Sequence, residues 1–213
     1  MDSGVKGPSK GELYRRRVQQ NRARMVEAAT TLFVTNGYAG TTMAAVAAAA
    51  GMSVQNVYFT FGTKADLLQA AFDHAALGAY EKVPPTSTDW YRAAAEDPSP
   101  HTALAAFVTG NCEILRGTAP LTLVAEAAAR SDPTVARLHR HNEALRMSVM
   151  ADMVHELERK RPFRAGLGRR EAVDIVFSLI SPQLYTILTV SREWHHTAFV
   201  RWVTAAARHE LWG

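Results

Sequence analysis

Residues Thr41 to Lys64 read TTMAAVAAAAGMSVQNVYFTFGTK, and the fold follows from how this stretch divides. Met43, Val46, Ala47 and Ala50 recur at the three-four spacing of a single helix face. Gly51 supplies the backbone freedom to end that helix, and Ser53 is an N-cap for the next. Val54, Val57, Tyr58 and Phe61 repeat the same spacing. Two short helices joined by a tight turn, with a third starting near Lys64, make a helix-turn-helix over about residues 42–61. In such a motif the second helix is expected to enter a DNA major groove.

Working outward toward the N-terminus, Met25, Ala28, Ala29, Leu32 and Phe33 form the stripe of a preceding helix that Gly37 closes. Residues 1–12, rich in Gly, Ser, Lys and Pro, are expected to be a disordered basic leader. From Lys6 to Arg24 there are seven basic residues against the single acid Glu12. Arg15 and Arg22 are candidates for an arm that tracks phosphates beside the motif. Downstream, Thr63 and Asp66 read as a capping box ahead of Leu67, Leu68, Ala71 and Phe72, on a fourth helix reaching about residue 80. The N-terminal domain is set at 13–80.

Residues 82–100 hold four of the nine prolines and read as a loop with one helical turn around Trp90–Ala95. Beyond it every strong segment is helical. One helix ends near Gly117 and a short one spans about Leu121–Arg130. Asp132-Pro133 opens a long helix reaching about Lys160. The next is read as continuous from about Arg169 to Arg192, the last as about Thr197–Leu211. Strand alternation is missing throughout, so the fold class is all-α, with residues 81–213 as a larger helical domain. The 169–192 helix is apolar nearly all round and must be covered on both sides. Val173, Val176, Phe177, Ile180, Leu184 and Leu188, with Phe199, Trp202 and Val203 on the last helix, are expected to meet a second copy of the chain.

The chain has 213 residues, a hydrophobic fraction of 47%, a charged fraction of 21% and a formal charge of +4, which fits a soluble, cytoplasmic protein able to bind nucleic acid. A single cysteine, Cys112, excludes an internal disulfide framework. His139 and His141 are two apart and face different ways on a helix, which disfavours chelation. Neither phosphate-binding glycines nor a nucleophile-base pair is evident. The expectation is no catalysis, no metal, no cofactor and no membrane insertion.

Over Arg24 to Phe72 the chain resembles the tetracycline-repressor-like (TetR) family of bacterial transcriptional regulators. The resemblance is carried by Leu32-Phe33, Gly37-Tyr38, Thr41-Thr42, Ala47–Ser53, Val57-Tyr58, Phe61, Lys64 and Leu67-Leu68. The stretch DIVFSLISPQLYTIL with Trp194 is similar to one subgroup of these regulators. This resemblance implies a DNA-binding head, a helical domain enclosing a small-molecule pocket, and pairing of the last two helices across a twofold axis. It also implies that Thr42, Tyr58 and Lys64 meet DNA phosphates, which set register without reading sequence.

Base reading is expected from the outward face of the third helix, at Ser53, Gln55, Asn56, Phe59 and Thr60. The Gln55 amide suits adenine. Asn56 and Phe59 depart from the usual family pattern, and Phe59 either meets a thymine methyl or fills an apolar seam. The pocket is expected to draw on Phe107, Asn111, Glu126, Asn142, Met147, Phe177 and Tyr185. These expectations describe a homodimeric repressor on a palindromic operator, released by an unidentified small-molecule effector. A dimeric helical adaptor with only nonspecific DNA affinity is the alternative, and a sequence-selective complex separates the two.

Overall fold

A computed structural model of the chain describes residues 9–77 and 85–213; the readings made for residues 1–8 and 78–84 lie outside the described residues. The described residues are helical and contain no strand. The chain divides into two compact units, Met1–Ala71 and Phe72–Gly213.

The first unit is built from α1 (Lys10–Gly40), α2 (Met43–Ala50), α3 (Val54–Phe61) and the first half of α4 (Lys64–Leu77). Met25, Val26, Ala29 and Phe33 of α1 are buried with Met43, Val46, Ala47 and Ala50 of α2, Val57 and Phe61 of α3, and Leu67 and Leu68 of α4. The helical run of α1 is broken at Gly37, whose φ of 70° is costly for a residue with a side chain. Thr41, fully buried, donates its hydroxyl to the Leu32 and Gly37 carbonyls and so ties that corner together. The predicted Thr63–Asp66 box is present: Thr63 N–H donates to Asp66 Oδ2 at 3.2 Å, and Asp66 N–H to Thr63 Oγ1 at 3.1 Å.

One boundary moves at the N-terminus. Ser9 to Glu12, placed in a disordered leader from sequence, instead start α1 through a capping box, with Ser9 N–H on Glu12 Oε2 at 2.6 Å and Glu12 N–H on Ser9 Oγ at 3.3 Å. The carboxylate of Glu12 is held below its usual range by those Ser9 bonds.

The second unit packs α5 (Asp89–Glu96), α6 (Pro100–Ala128), α7 (Pro133–Lys160), α8 (Arg169–Leu179), α9 (Pro182–Thr186) and α10 (His196–Trp212), with a short 3₁₀ turn at Pro85–Ser87 and a π-type turn at Ile187–Ser191. Its core is continuous through Tyr91, Leu104, Phe107, Met153, Val176 and Phe199.

Two helix assignments made from sequence are corrected here. The expected break between Gly117 and Leu121 does not occur, and α6 runs through both Gly117 and Pro120. Gly117 is there for close packing: a Cβ would stand 2.8 Å from the Ala75 carbonyl oxygen of α4. The long helix expected over 169–192 is divided instead at Ile180-Ser181, because Pro182 cannot continue α8 and Ser181 caps α9. Arg146 of α7 closes the end of α8 by donating to the Phe177 and Ile180 carbonyls at 3.0 and 3.4 Å. Residues Arg169–Ser191 have the length and hydropathy of a membrane span, but they do not form one continuous helix.

Candidate nucleic-acid interface and effector groove

Within the first unit the α2–α3 corner is built by backbone geometry. Gly51 sits at φ 64°, in the left-handed region. Its N–H and that of Met52 bond the Ala48 and Ala47 carbonyls at 3.2 and 2.9 Å, which closes α2. Ser53 Oγ then accepts from Asn56 N–H at 3.2 Å to start α3. At the other end, Thr42 Oγ1 accepts from Ala45 N–H at 3.0 Å. The other first-turn amides of α2 have no intrahelical acceptor, and such a helix start carries a partial positive charge suited to a phosphate.

The outward side of α3 carries Gln55, Asn56, Tyr58 and Phe59, all exposed, opposite the buried Val57 and Phe61. Ser53 is exposed at the helix start. Gln55 and Asn56 stand four and three residues before Phe59 and share its face. Phe59 is 93% exposed, so it fills no seam in the first unit. Thr60 turns along the helix instead, its hydroxyl donating to the Asn56 carbonyl at 2.7 Å.

The basic candidates separate into two kinds. Arg15 lies on the exposed first half of α1, between Arg16 and Glu12. Arg22 stacks its guanidinium 4.8 Å from the Phe61 ring centroid, anchored to the bundle. Lys64 is committed further still. Its ammonium donates to the Tyr38 carbonyl at 2.7 Å and the Thr41 carbonyl at 2.9 Å, and lies 4.2 Å from the Tyr38 ring centroid. Two of its three N–H groups therefore hold the α1–α2 corner.

In the second unit an open groove of about 850 Å³ is lined by residues of α4, α5 and α6, among them Ala76, Trp90, Ala105, Thr109, Gly110 and Glu113. Trp90 packs directly on Gly110, where a Cβ would stand 2.2 Å from the indole. Glu113 is the one carboxylate among the lining residues. It pairs with Arg116 at 2.9 Å and with His196 Nε2 at 3.1 Å, and His196 Nδ1 meets the Tyr185 hydroxyl at 3.0 Å.

The residues proposed for the pocket from sequence lie elsewhere. Phe107 is fully buried, edge-on to Tyr91. Asn111 is satisfied by the Phe107 carbonyl at 3.0 Å, and Glu126 accepts from Gln183 at 2.9 Å. Asn142 has a buried Nδ2 without a partner. Met147 packs against the core, and Phe177 lies 3.4 Å beneath the Arg146 guanidinium. Tyr185 is buried, with burial the main cause of its raised pKa. None of these seven lines the groove. Cys112, beside Glu113, has its pKa pushed up to about 12 by burial first and by that carboxylate second, so its thiol stays protonated at neutral pH.

The stripe proposed for self-association also divides. Val173, Val176, Ile180, Phe199 and Val203 are buried in the protomer's own core and have no surface to offer a partner, which corrects the reading from sequence. Phe177, Leu184 and Leu188 are partly buried, and Trp202 is exposed. The open apolar surface is instead Ile187 (53% exposed), Val190 (68%), Trp194 and Trp202, the two indoles edge to face at 5.9 Å.

Comparison with known proteins places this geometry. The model of the bacterial regulatory proteins, tetR family, matches residues 25–71. The HTH-type transcriptional regulators BetI of Burkholderia mallei (strain NCTC 10229) and Burkholderia pseudomallei (strain K96243) are each 31% identical over 157 residues, covering 72% of this chain and 77% of theirs. Among solved structures, a TetR-family regulator from Rhodococcus sp. matches with a TM-score of 0.68 at 16% identity, over 91% of this chain and 99% of its own. FadR of Bacillus subtilis, solved with stearoyl-CoA, matches with a TM-score of 0.68 at 18% identity, over 87% and 96%. The two structures share the fold, while the BetI sequences and the head model carry the relationship: the chain belongs to the TetR family of DNA-binding transcriptional regulators.

Proposed function

We propose that this regulator is a homodimeric repressor that reads a palindromic operator with α3 and leaves it when a small molecule enters the α4–α6 groove. The observation that carries the reading is the outward face of α3. Gln55, Asn56 and Phe59 stand together in solvent, while every large apolar group needed to hold the helix points the other way. Thr42, Tyr58 and Arg15 are the phosphate contacts, Arg22 and Lys64 act mainly by fixing the bundle, and Gln55 is the adenine reader. A helical adaptor with only nonspecific affinity gives no account of that face.

Self-association is supported by the exposed Ile187, Val190, Trp194 and Trp202 surface, an apolar patch costly to leave in water. The groove supports effector binding, since its walls are apolar apart from a few hydroxyls and Glu113. FadR of Bacillus subtilis, a neighbour in fold, was solved with a bound small molecule. α4 carries the response, because it is the helix shared by the two units. Ligand binding then acts as a population shift toward dimers that no longer fit the operator. A DNA-binding regulator works where the DNA is, which makes the protein cytoplasmic.

The test is a gel shift with Gln55→Ala. Losing a paired amide-adenine contact costs about 1–3 kcal/mol per half-site, so operator affinity falls at least tenfold while random DNA binds as before. Equal losses on both duplexes would remove Gln55 as a reader.

A further inference from the structure

Phe59 is the most exposed large apolar side chain among the described residues. At 93% exposure it touches almost nothing of its own unit, although it stands in an eight-residue helix whose other phenylalanine, Phe61, is buried. It adds nothing to the packing of the head, and an isolated benzyl group on a nucleic-acid-reading face is without a partner until that face is covered. The surface that covers it is a major groove, whose base edges present hydrogen-bonding groups and a single kind of apolar group, the C5 methyl of thymine. From this we infer that Phe59 is a specificity-determining residue that makes the operator require a thymine methyl at one fixed position of each half-site.

The position follows from the helix. Phe59 lies one turn beyond Gln55, about 6 Å along the axis, and base pairs follow one another at about 3.4 Å. The required thymine therefore falls within about two base pairs of the base that Gln55 reads, on either strand. Asn56 lies between them on the same face, with an exposed amide that neither caps α3 nor fills the core. Two amides followed by an apolar ring on one helix face discriminate better than amides alone, because cytosine and uracil at the thymine position leave the ring against water or an amino group.

This inference rests on the reading of α3 as the base-reading helix, and its test separates the two. A duplex is first recovered by selecting from random DNA with the full-length protein, and each thymine is then replaced singly by deoxyuridine, which removes the methyl and keeps the pairing. Wild-type affinity is expected to fall about fourfold at one thymine of a half-site, and about 15-fold when both half-sites are changed. Phe59→Ala removes that sensitivity and Phe59→Leu keeps it. Circular dichroism and melting of both variants match wild type, since the side chain packs on nothing. If a duplex is selected but every deoxyuridine replacement is neutral, or if Phe59→Ala keeps the wild-type profile, Phe59 reads no methyl while base reading by α3 stands. If no duplex is selected, sequence reading by α3 fails and the inference with it.

Discussion

Lys64→Met keeps the length and apolar stem of the side chain and removes its charge, which separates two roles that family position alone confuses. The ammonium makes two charge-assisted bonds, to the Tyr38 and Thr41 carbonyls, and lies over the Tyr38 ring. A hydrogen bond to a charged group contributes about 1.5–3 kcal/mol and a cation–π contact about 0.5–1 kcal/mol. Lys64 is only half-buried, and the Tyr38 carbonyl keeps a second donor, the Thr41 N–H at 3.3 Å. Solvent therefore recovers part of the loss, leaving a net cost of about 2 kcal/mol to the head. All four tryptophans lie in the second unit, so indole fluorescence does not report this change. Hydrogen exchange followed by mass spectrometry does. Peptides covering Tyr38–Thr42 and Thr63–Leu68 are expected to exchange about 30-fold faster, with no change in α6 or α7. Unchanged exchange, combined with a salt dependence of DNA binding reduced by about one unit, would show that Lys64 is a phosphate contact and not a clamp.

Other outcomes follow from the second unit. Gly110→Ala should destabilise it by about 1–2 kcal/mol, because the clash with Trp90 outweighs the roughly 1 kcal/mol helical gain of alanine; a rise in melting temperature would mean the indole yields freely. Val190→Asp on the exposed apolar patch should shift the sedimentation profile from dimer to monomer without altering helical content, whereas an unchanged dimer would place self-association on another surface. His101 accepts from Arg161 at 2.9 Å and stands edge-on to Trp212, and its pKa is lowered by burial first, then by Arg208 and Arg161. The unfolded chain therefore takes up this proton first as pH falls, so the contribution is present above about pH 6.5 and lost below it. Melting curves of wild type and His101→Phe should converge on acidification, and parallel curves would remove His101 from the pH response.

The head was legible because its boundaries are written in side chains that act locally. Gly37, Gly51, Ser53 and the Thr63–Asp66 box each satisfy or free a backbone group within four residues, so spacing alone places them. In the second unit the decisive contacts are remote. Gly117 looks like a helix end and is a point of close approach to Ala75. Pro182, inside an apolar run, breaks a helix whose last carbonyls Arg146 then closes from 31 and 34 positions away in sequence, a partner that periodicity does not reveal. An apolar stripe says that a face is covered but not by what, which is why Val173, Val176 and Phe199 were assigned to a second chain when their own core takes them. The groove had a faint signal. Ala105, Ala106, Thr109 and Gly110 make a small-residue face along α6, and a helix that is small on one side leaves room beside it. The polar residues singled out instead, Asn111 and Tyr185, are satisfied within the fold.

The central claim is paired, sequence-specific reading, and selection of bound duplexes from random DNA tests it most directly. One enriched palindrome is expected, with half-sites centred about one helical turn apart or a multiple of it, each holding an adenine for Gln55 and a thymine within about two base pairs. An unenriched pool, or a single asymmetric half-site bound by one protomer, would contradict it.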